Sequence, residues 1–536
     1  MKKMNLEFFL ILLISIGFVI WAGIFIYQSS FVTIDGTRSF SLFDDAMVSM
    51  RYAWNFSHGY GLVWNAGERV QGYTNLLMTL LMSLATLVFS KTKAVLVVQL
   101  SGIAFMLATA FLNMKIADHI IHFENPELRI LTRVVSFSCG LAYYPLSYWS
   151  LMGMETGLLT VLVFAGLLTA FNYLSSRDNK QLLLFSVLMS LAFLTRNDSS
   201  IFAIAIWLYI IYDSKLRGGK LGQLITSMGL YLFVIVGELA FQYLYYGELL
   251  PNTYTLKLTG MPLVLRLQGG IGFTFPFLME VGYILAFSVL DLIFYFRKEK
   301  LLLFLITLLS VSYEIYVGGD PWNYWRLMAA SIPLSMILNL DFITSILTGF
   351  KNTSAYPKIM PGHPAIRNVL TGLLILLFMS VGILQANGRF FSEISFQAKP
   401  YLSSDSQKTV NISIVLNQIL SKNATVGVLW AGAIPYYTDF KAVDFLGKSD
   451  RYIASLPPDL SGHIKGMGMQ SVPGHNKYDL YYSIVTLKPT YVQSLAWGRQ
   501  DLSKWAKDKY VRVKYKGRAL YLLKGSPDVL WSKLLN

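Results

Sequence analysis

The sequence predicts a polytopic α-helical membrane protein with a C-terminal soluble α/β domain, and three observations carry that prediction. Hydrophobic residues make up 54% of the 536 positions and charged residues 14%, with a mean hydropathy of +0.50, too apolar for a soluble globule. Apolar runs near the length that crosses a bilayer recur from residue 5 to residue 386. Beyond residue 390 they give way to short β-like runs, "ATVGVLW", "KPTYVQSL", "VRVKY" and "ALYLLK", between helical and Gly/Pro-rich stretches.

The first run, "NLEFFLILLISIGFVIWAGIFIY" (5–27), follows Lys2 and Lys3 and exceeds a signal peptide's apolar core. With no clear small-residue cleavage site after it, it reads as a retained transmembrane helix. Further runs lie at about 73–90, 95–117, 129–147, 156–174, 181–195, 199–213, 222–246, 272–296, 301–317, 327–349 and 366–386. Basic clusters at Arg177/Lys180, Lys215/Arg217/Lys220, Arg297/Lys298/Lys300 and Lys351/Lys358/Arg367 mark every second loop as cytoplasmic. The loops between them, "TRND" (195–198), "GELLPNTYTLK" (247–257) and "GGDPWNYWR" (318–326), then face outward. Twelve crossings from a cytoplasmic N-terminus would return the C-terminus to the cytoplasm, against these signs. One early segment, 73–90 or a neighbour, is therefore expected to be re-entrant or interfacial, leaving about 11 transmembrane helices. This divides the chain into a membrane domain, 1–389, with a first outer loop at 28–72, and an extracytoplasmic α/β domain, 390–536.

The soluble part holds 19 Lys and Arg against 10 Asp and Glu, with a basic patch from Lys504 to Arg518. A solvated face explains the patch, and contact with anionic lipid headgroups is the sharper alternative. The overall charge of +15 is accounted for largely by loops between apolar runs, so nucleic acid is not an expected partner; the lipid bilayer is. The single cysteine, Cys139, excludes an intrachain disulfide and a cysteine metal site. His463 and His475 flank a Gly-rich loop and read as solvent-exposed rather than metal-binding.

Asp44 and Asp45 open "DDAMVSMRYAWNFSHGYGLVWNAGERVQGYTN" (44–75), a polar, aromatic loop after the first span. An ionised Asp at the bilayer centre costs about 2.5–3.5 kcal/mol, which places the pair in the outer interface. There, one carboxylate accepts a proton from an attacking hydroxyl while its neighbour raises that pKa, binds a cation or stabilises positive charge on a sugar. The plainer reading is an acidic helix start favoured by the helix dipole. The outward loops add Arg196 and Asp198, then Asn252, Tyr254 and Lys257, then Asp320 and Arg326. Cations hold a phosphate, aromatics stack on sugar or isoprenoid and an acid activates an acceptor, which suits an anionic lipid-linked donor. Singly, Trp322, Tyr324 and Trp325 are ordinary aromatic-belt residues, and each Arg or Lys is an interfacial anchor. Glu155 in "GMETG" is either part of this outer site or a helix-start acid.

The first loop resembles that of the GT-C membrane glycosyltransferases, most specifically the family of the mycobacterial terminal arabinofuranosyltransferase. The resemblance continues through "GMETG" (153–157), "LTRND" (194–198), "GELLPNTYTLK", "GGDPWNYWR", "AGAIPYYTDFKAVDFLGKSDRYIA" (431–454) and "PGHNKYD" (473–479). It implies a polyprenyl-phosphate-linked sugar donor, a glycan or glycoconjugate acceptor of the cell envelope, and a bacterial cytoplasmic membrane with the site outside. It also implies Asp44 or Asp45 as catalytic base. Arg196, Lys257 and Arg326, as cations of the outward loops, are the expected donor-phosphate contacts. Arg51, Glu68, Tyr73, Asn75, Glu155, Asp198, Asn252, Tyr254, Asp320 and His475 are the expected substrate contacts. The chain departs from the family pattern at Gln71, Leu76 and "TRNDS", so neither the sugar nor the acceptor follows.

The expected reaction is inverting transfer of a hexose or pentose, a pentofuranose among them. A divalent cation between the aspartates and a phosphate is left open. A transporter or flippase of lipid-linked saccharide is the competing class, with Glu238, Glu280, Asp291 and Glu314 as its relay; no basic partners for these acids are evident in the sequence. A non-catalytic component binding polysaccharide through its external domain is the third reading.

Overall fold

The computed structural model describes residues 6–121, 126–218, 220–349, 388–464 and 471–534. The membrane part opens with α1 (Leu6–Ser29), then a two-stranded ribbon of β1 (Phe31–Val32) and β2 (Arg38–Ser39), then α2 (Asp44–Ser57). It continues with α3 (Leu76–Val88), α4 (Lys91–Ile120), α5 (Pro126–Ala142), α6 (Tyr144–Leu151), α7 (Thr156–Ser176), α8 (Asn179–Thr195) and α9 (Ser200–Arg217). After these come α10 (Leu221–Tyr246), the short α11 (Asn252–Leu258), α12 (Leu263–Phe294), α13 (Lys298–Val317) and α14 (Ile332–Gly349).

Among the described residues, eight helices are long and apolar enough to cross a membrane, and α3 and α8 are shorter apolar helices. At 13 residues α3 is about 20 Å long, against a hydrocarbon core of about 30 Å, in keeping with a segment that does not cross. The expected run at 366–386 lies outside the described residues. Apolar side chains stand exposed on α1 (Phe8, Leu13, Ile20), α10 (Phe233, Val236, Leu244) and α12 (Phe275, Met279, Ile293), a surface that suits lipid. The protein is a multi-pass membrane protein.

The expected run 129–147 is two helices. Pro145 has no N–H to donate and its ring clashes with the preceding turn, so α5 ends at Ala142 and α6 restarts with the proline in its first turn. Conversely, α12 begins nine residues before its expected start, because Arg266, Gln268, Gly269 and Gly270 dilute the apolar pattern there. Gly270 lies against the backbone of Ile315, so a Cβ would force α12 and α13 apart. Asp291 does have a basic partner: Lys300 Nζ lies 3.0 Å from its carboxylate and also pairs with Asp341, tying α12, α13 and α14 together.

The C-terminal part contributes α15 (Gly388–Ile394), α16 (Ser403–Ile419), α17 (Ala433–Thr438), α18 (Arg451–Ser455) and α19 (Ser503–Lys509). Its five-stranded sheet comprises β3 (Thr425–Val428), β4 (Lys441–Asp444), β5 (Tyr491–Val492), β8 (Tyr510–Tyr515) and β9 (Arg518–Leu523), and a small ribbon pairs β6 (Ala496–Trp497) with β7 (Gln500–Asp501). The strand order is β4-β3-β5-β9-β8, parallel across the first three and antiparallel across the last three. Lys516 and Gly517, both in the left-handed region, turn the β8–β9 hairpin. Lys504, Lys507, Lys509, Arg512, Lys514 and Lys516 are exposed around edge strand β8, where charge discourages pairing with another sheet.

This domain is packed against the first loop. Tyr52, Trp64 and Tyr73 share one buried cluster with Val426, Val428, Ile434 and Leu520, and α2 is thereby wedged between the sheet domain and the membrane helices.

Candidate active site

Neither aspartate caps its own helix. Phe43 is the N-cap residue of α2, and the two carboxylates diverge. Asp44 accepts from the backbone N–H of Gly432 at 3.3 Å and of Ala433 at 3.2 Å, capping α17 of the sheet domain instead. A side chain at position 432 would collide with the Asp44 carbonyl, so the glycine is what lets the two segments meet. Burial, reinforced by the charge of Asp45, pushes the Asp44 carboxyl up to about 6.

Asp45 turns the other way, into a cavity of about 540 Å³ enclosed by α2, the ends of α8, α10 and α13, and α11. Arg326 Nη1 lies 2.9 Å from one of its oxygens and Lys448 Nζ pairs with the other. Burial alone would raise this carboxyl, but Lys448 and Arg326 outweigh it and hold Asp45 far below the usual range.

Each cation is aimed by its surroundings. Arg326 follows Tyr324 and Trp325, two residues in the left-handed region at φ of 70° and 52°, a conformation costing about 1–3 kcal/mol each. Buried groups hold it: Trp149 Nε1 donates to Tyr324 O at 2.7 Å, Tyr324 Oη to Glu393 at 2.8 Å and Trp325 Nε1 to Glu280 at 3.0 Å. Tyr324 and Trp325 are therefore buried anchors and not belt residues. Arg326 also pairs with Asp320; burial opposes its charge, but Asp320 and Asp45 more than offset that.

Lys448 sits in a loop whose shape is set by Asp444, which accepts from Leu446 N at 3.1 Å and Ser449 N at 2.7 Å. Asn252 Nδ2 braces the same loop, reaching the carbonyls of Gly447 (2.9 Å), Lys448 (3.1 Å) and Asp450 (3.2 Å). On the opposite wall Arg196 forks onto Asp198 at 2.9 and 2.5 Å and reaches Glu155 at 2.6 Å. Glu155 also accepts from Asn75 at 3.0 Å, so it both precedes α7 and belongs to the cavity wall.

Lys257 differs from these. It lines the cavity and, among the described residues, donates no hydrogen bond and forms no ion pair. Burial, and then the charge of Arg326, lower its pKa. The same cavity is also lined by Phe193, Ile201, Ile235, Leu239, Leu250 and Leu258, so it combines charged groups with apolar wall.

Ten of the expected site residues line the cavity: Asp45, Tyr73, Asn75, Glu155, Arg196, Asp198, Tyr254, Lys257, Asp320 and Arg326. Asp44, Arg51, Glu68, Asn252 and His475 do not. Arg51 pairs with Asp439 at 2.6 Å and docks the sheet domain, Glu68 pairs with Lys441 at 2.6 Å near the surface, and Asn252 braces the Lys448 loop. His475 is buried, in contrast to its expected exposure, and burial pushes its pKa down to about 4; His463 is exposed. Lys448 is the residue that sequence reasoning passed over, although "FLGKSD" lies inside one of the segments carrying the family resemblance.

Among the described residues no group of three or more His, Cys, Asp or Glu side chains is placed to hold a metal ion. The charge facing Asp45 and Asp320 is supplied by Arg326 and Lys448, and Asp44 faces backbone, so a cation bridged by the aspartates does not fit this arrangement.

Residues 398–523 match the model of a family described as a domain of unknown function, DUF8728. No curated protein matches the sequence. Among solved structures, the chain is similar to the apo oligosaccharyltransferase of Archaeoglobus fulgidus, with a TM-score of 0.55 and 10% identity over 98% of this chain and 76% of that one. The same enzyme tethered to an acceptor peptide gives 0.52 and 10% identity over 97% and 74%. ArnT from Cupriavidus metallidurans bound to undecaprenyl phosphate is a looser match, at 0.49 and 12% identity over 80% and 85%. The chain thus shares the fold of that archaeal oligosaccharyltransferase, and within it a polytopic helical membrane part is followed by a C-terminal sheet domain.

Proposed function

We propose that the protein is an inverting glycosyltransferase that moves a sugar from a polyprenyl-phosphate donor to a cell-envelope glycan or glycoconjugate on the extracytoplasmic face of the bacterial cytoplasmic membrane. The observation that carries this reading is the position of Asp45, a carboxylate flanked by two cations on the wall of a cavity that is also lined by apolar side chains. The archaeal oligosaccharyltransferase fold supports the reaction class.

The apolar lining takes the first isoprene units and Lys257 meets the donor phosphate, with Arg326 sharing its charge between the phosphate and Asp45. An acceptor hydroxyl attacks the anomeric carbon from the face opposite the phosphate. The new C–O bond forms as the bond to the phosphate oxygen breaks, the electron pair leaves with the polyprenyl phosphate and the hydroxyl proton passes to Asp45. A carboxylate held this far below the usual range is a weak base, so proton transfer is late, when bond formation has made the hydroxyl strongly acidic. Phosphate departs without protonation, which removes the need for a general acid. Single displacement inverts the anomeric configuration. Asp44 positions α2 against the sheet domain.

The test is reconstitution of the full chain in nanodiscs with a panel of polyprenyl-phosphate hexoses and pentoses and an envelope glycan extract. Release of polyprenyl phosphate with formation of the inverted linkage supports the reading. Movement of labelled lipid across a bilayer with no donor consumed would instead favour a flippase.

A further inference from the structure

Four aromatic rings from both parts of the chain meet beside the cavity. Trp322 comes from the 318–326 loop, Trp430 from the segment after β3, His475 from "PGHN" and Trp497 from β6. Their centroids lie 5.8 Å (Trp322–Trp430), 6.0 Å (Trp322–His475), 6.1 Å (Trp430–His475), 6.1 Å (Trp430–Trp497) and 5.9 Å (His475–Trp497) apart. The three indoles are half-buried around the buried imidazole, so the cluster keeps an open edge.

The patch is continuous with the active site. Trp322 packs edge-on against Phe43, the residue before the aspartates, with centroids 5.0 Å apart. Pro473, two residues before His475, lines the cavity, and a Cβ on Gly474 would lie 3.5 Å from Lys257 Cε.

The polar atoms of these rings are only partly used. Trp497 Nε1 donates to His475 O at 3.2 Å and His475 Nδ1 pairs with Pro473 O at 3.2 Å, where it acts as the donor. That leaves His475 Nε2 an acceptor with no partner among the described residues, and the indole N–H groups of Trp322 and Trp430 are likewise without one, while the Trp430 backbone N–H donates to Gln493. A plain hydrophobic seam needs none of these in-plane donors and acceptors.

We propose that the Trp322–Trp430–His475–Trp497 patch is the acceptor subsite and binds an uncharged sugar ring of the acceptor chain, next to the sugar whose hydroxyl attacks. This rests on the glycosyltransferase reading. The chemistry selects a sugar: its C–H face lies against indole, its hydroxyls meet the ring N–H groups and the imidazole acceptor, and the rigid rings lose little entropy on binding. A phosphate goes instead to Lys257, and an acyl chain leaves the ring N–H groups unused.

The experiment uses the full chain in nanodiscs with maltotriose, cellotriose and α-1,5-arabinotriose as soluble probes, and the tripeptide Asn-Ala-Thr as contrast. Binding is read by saturation-transfer NMR and tryptophan fluorescence for the wild type, Trp430→Leu and Trp430→Tyr. The expected result is saturable binding of at least one trisaccharide, weakened roughly tenfold by Trp430→Leu as for a central aromatic contact and partly restored by Trp430→Tyr. Affinity for polyprenyl phosphate is expected to be unchanged in both variants. Failure of all three trisaccharides to bind, equal binding to Trp430→Leu, or binding of the tripeptide alone would overturn the proposal. Donor consumption by the wild type separates the two readings: if it persists while the trisaccharide results fail, only the subsite is wrong, and if no donor in the panel is consumed the glycosyltransferase reading itself fails.

Discussion

Lys448 reaches across the seam between the sheet domain and α2 to pair with Asp45, 403 residues earlier in the chain. The carboxylate facing the cavity is thus held by a cation that the membrane part does not own. The soluble domain is expected to complete the site, since its removal would leave Asp45 with Arg326 alone.

Replacing Lys448 with Met removes the larger of the two cationic influences on Asp45, so its pKa rises toward the ordinary carboxylate range. The base must be ionised to work, and the acidic limb of the rate profile is therefore expected to move to higher pH. Turnover at pH 7 falls by about 10–100-fold through lost orientation. A pH–rate profile of polyprenyl phosphate release checks both.

Asp44 carries the opposite shift, up to about 6 from an ordinary 3.8, and the sign for stability follows. A raised carboxyl pKa stabilises the folded protein fully below the unfolded value, and that contribution is lost as pH rises from about 4 through 6. Asp44→Asn mimics the protonated form and keeps an oxygen for Gly432 and Ala433. It is expected to match the wild type near pH 4, to be at least as stable at pH 7.5, and to retain transfer within about tenfold. Thermal unfolding at the two pH values is the measurement.

Lys257 loses its proton more readily than an ordinary lysine because it is buried and beside Arg326. Donor affinity is expected to weaken on the alkaline side, below the usual lysine range, with KM rising while kcat changes little. Lys257→Met raises KM for the donor about tenfold or more at pH 7, and Lys257→Arg removes the alkaline limb. Steady-state kinetics across pH 6–10 with a polyprenyl-phosphate sugar distinguishes these outcomes.

The helices were legible because bilayer-length apolar runs and alternating basic loops are read locally, and Asp45 of the acid pair does meet residues of "TRND", "NTYTLK" and "GGDPWNYWR" in one cavity, while Asp44 turns away from it. What sequence could not supply was long-range pairing. Arg51 resembles a loop cation until Asp439, 388 residues away, takes it; Asn252 resembles a substrate amide until it is seen bracing the Lys448 loop. Strand β4, four residues long, carries no alternation strong enough to announce it, though it is what delivers Asp444 and hence Lys448. His475 is polar by composition and buried by its three indole neighbours.

The most direct test is the rate of polyprenyl phosphate release by nanodisc-embedded Asp45→Asn beside the wild type, at equal folded protein and with the donor that the wild type consumes. Loss of the base predicts a fall in kcat of about 10²–10⁴-fold with donor KM nearly unchanged. An Asp45→Asn protein that releases polyprenyl phosphate at the wild-type rate would contradict the assignment of this carboxylate as the base.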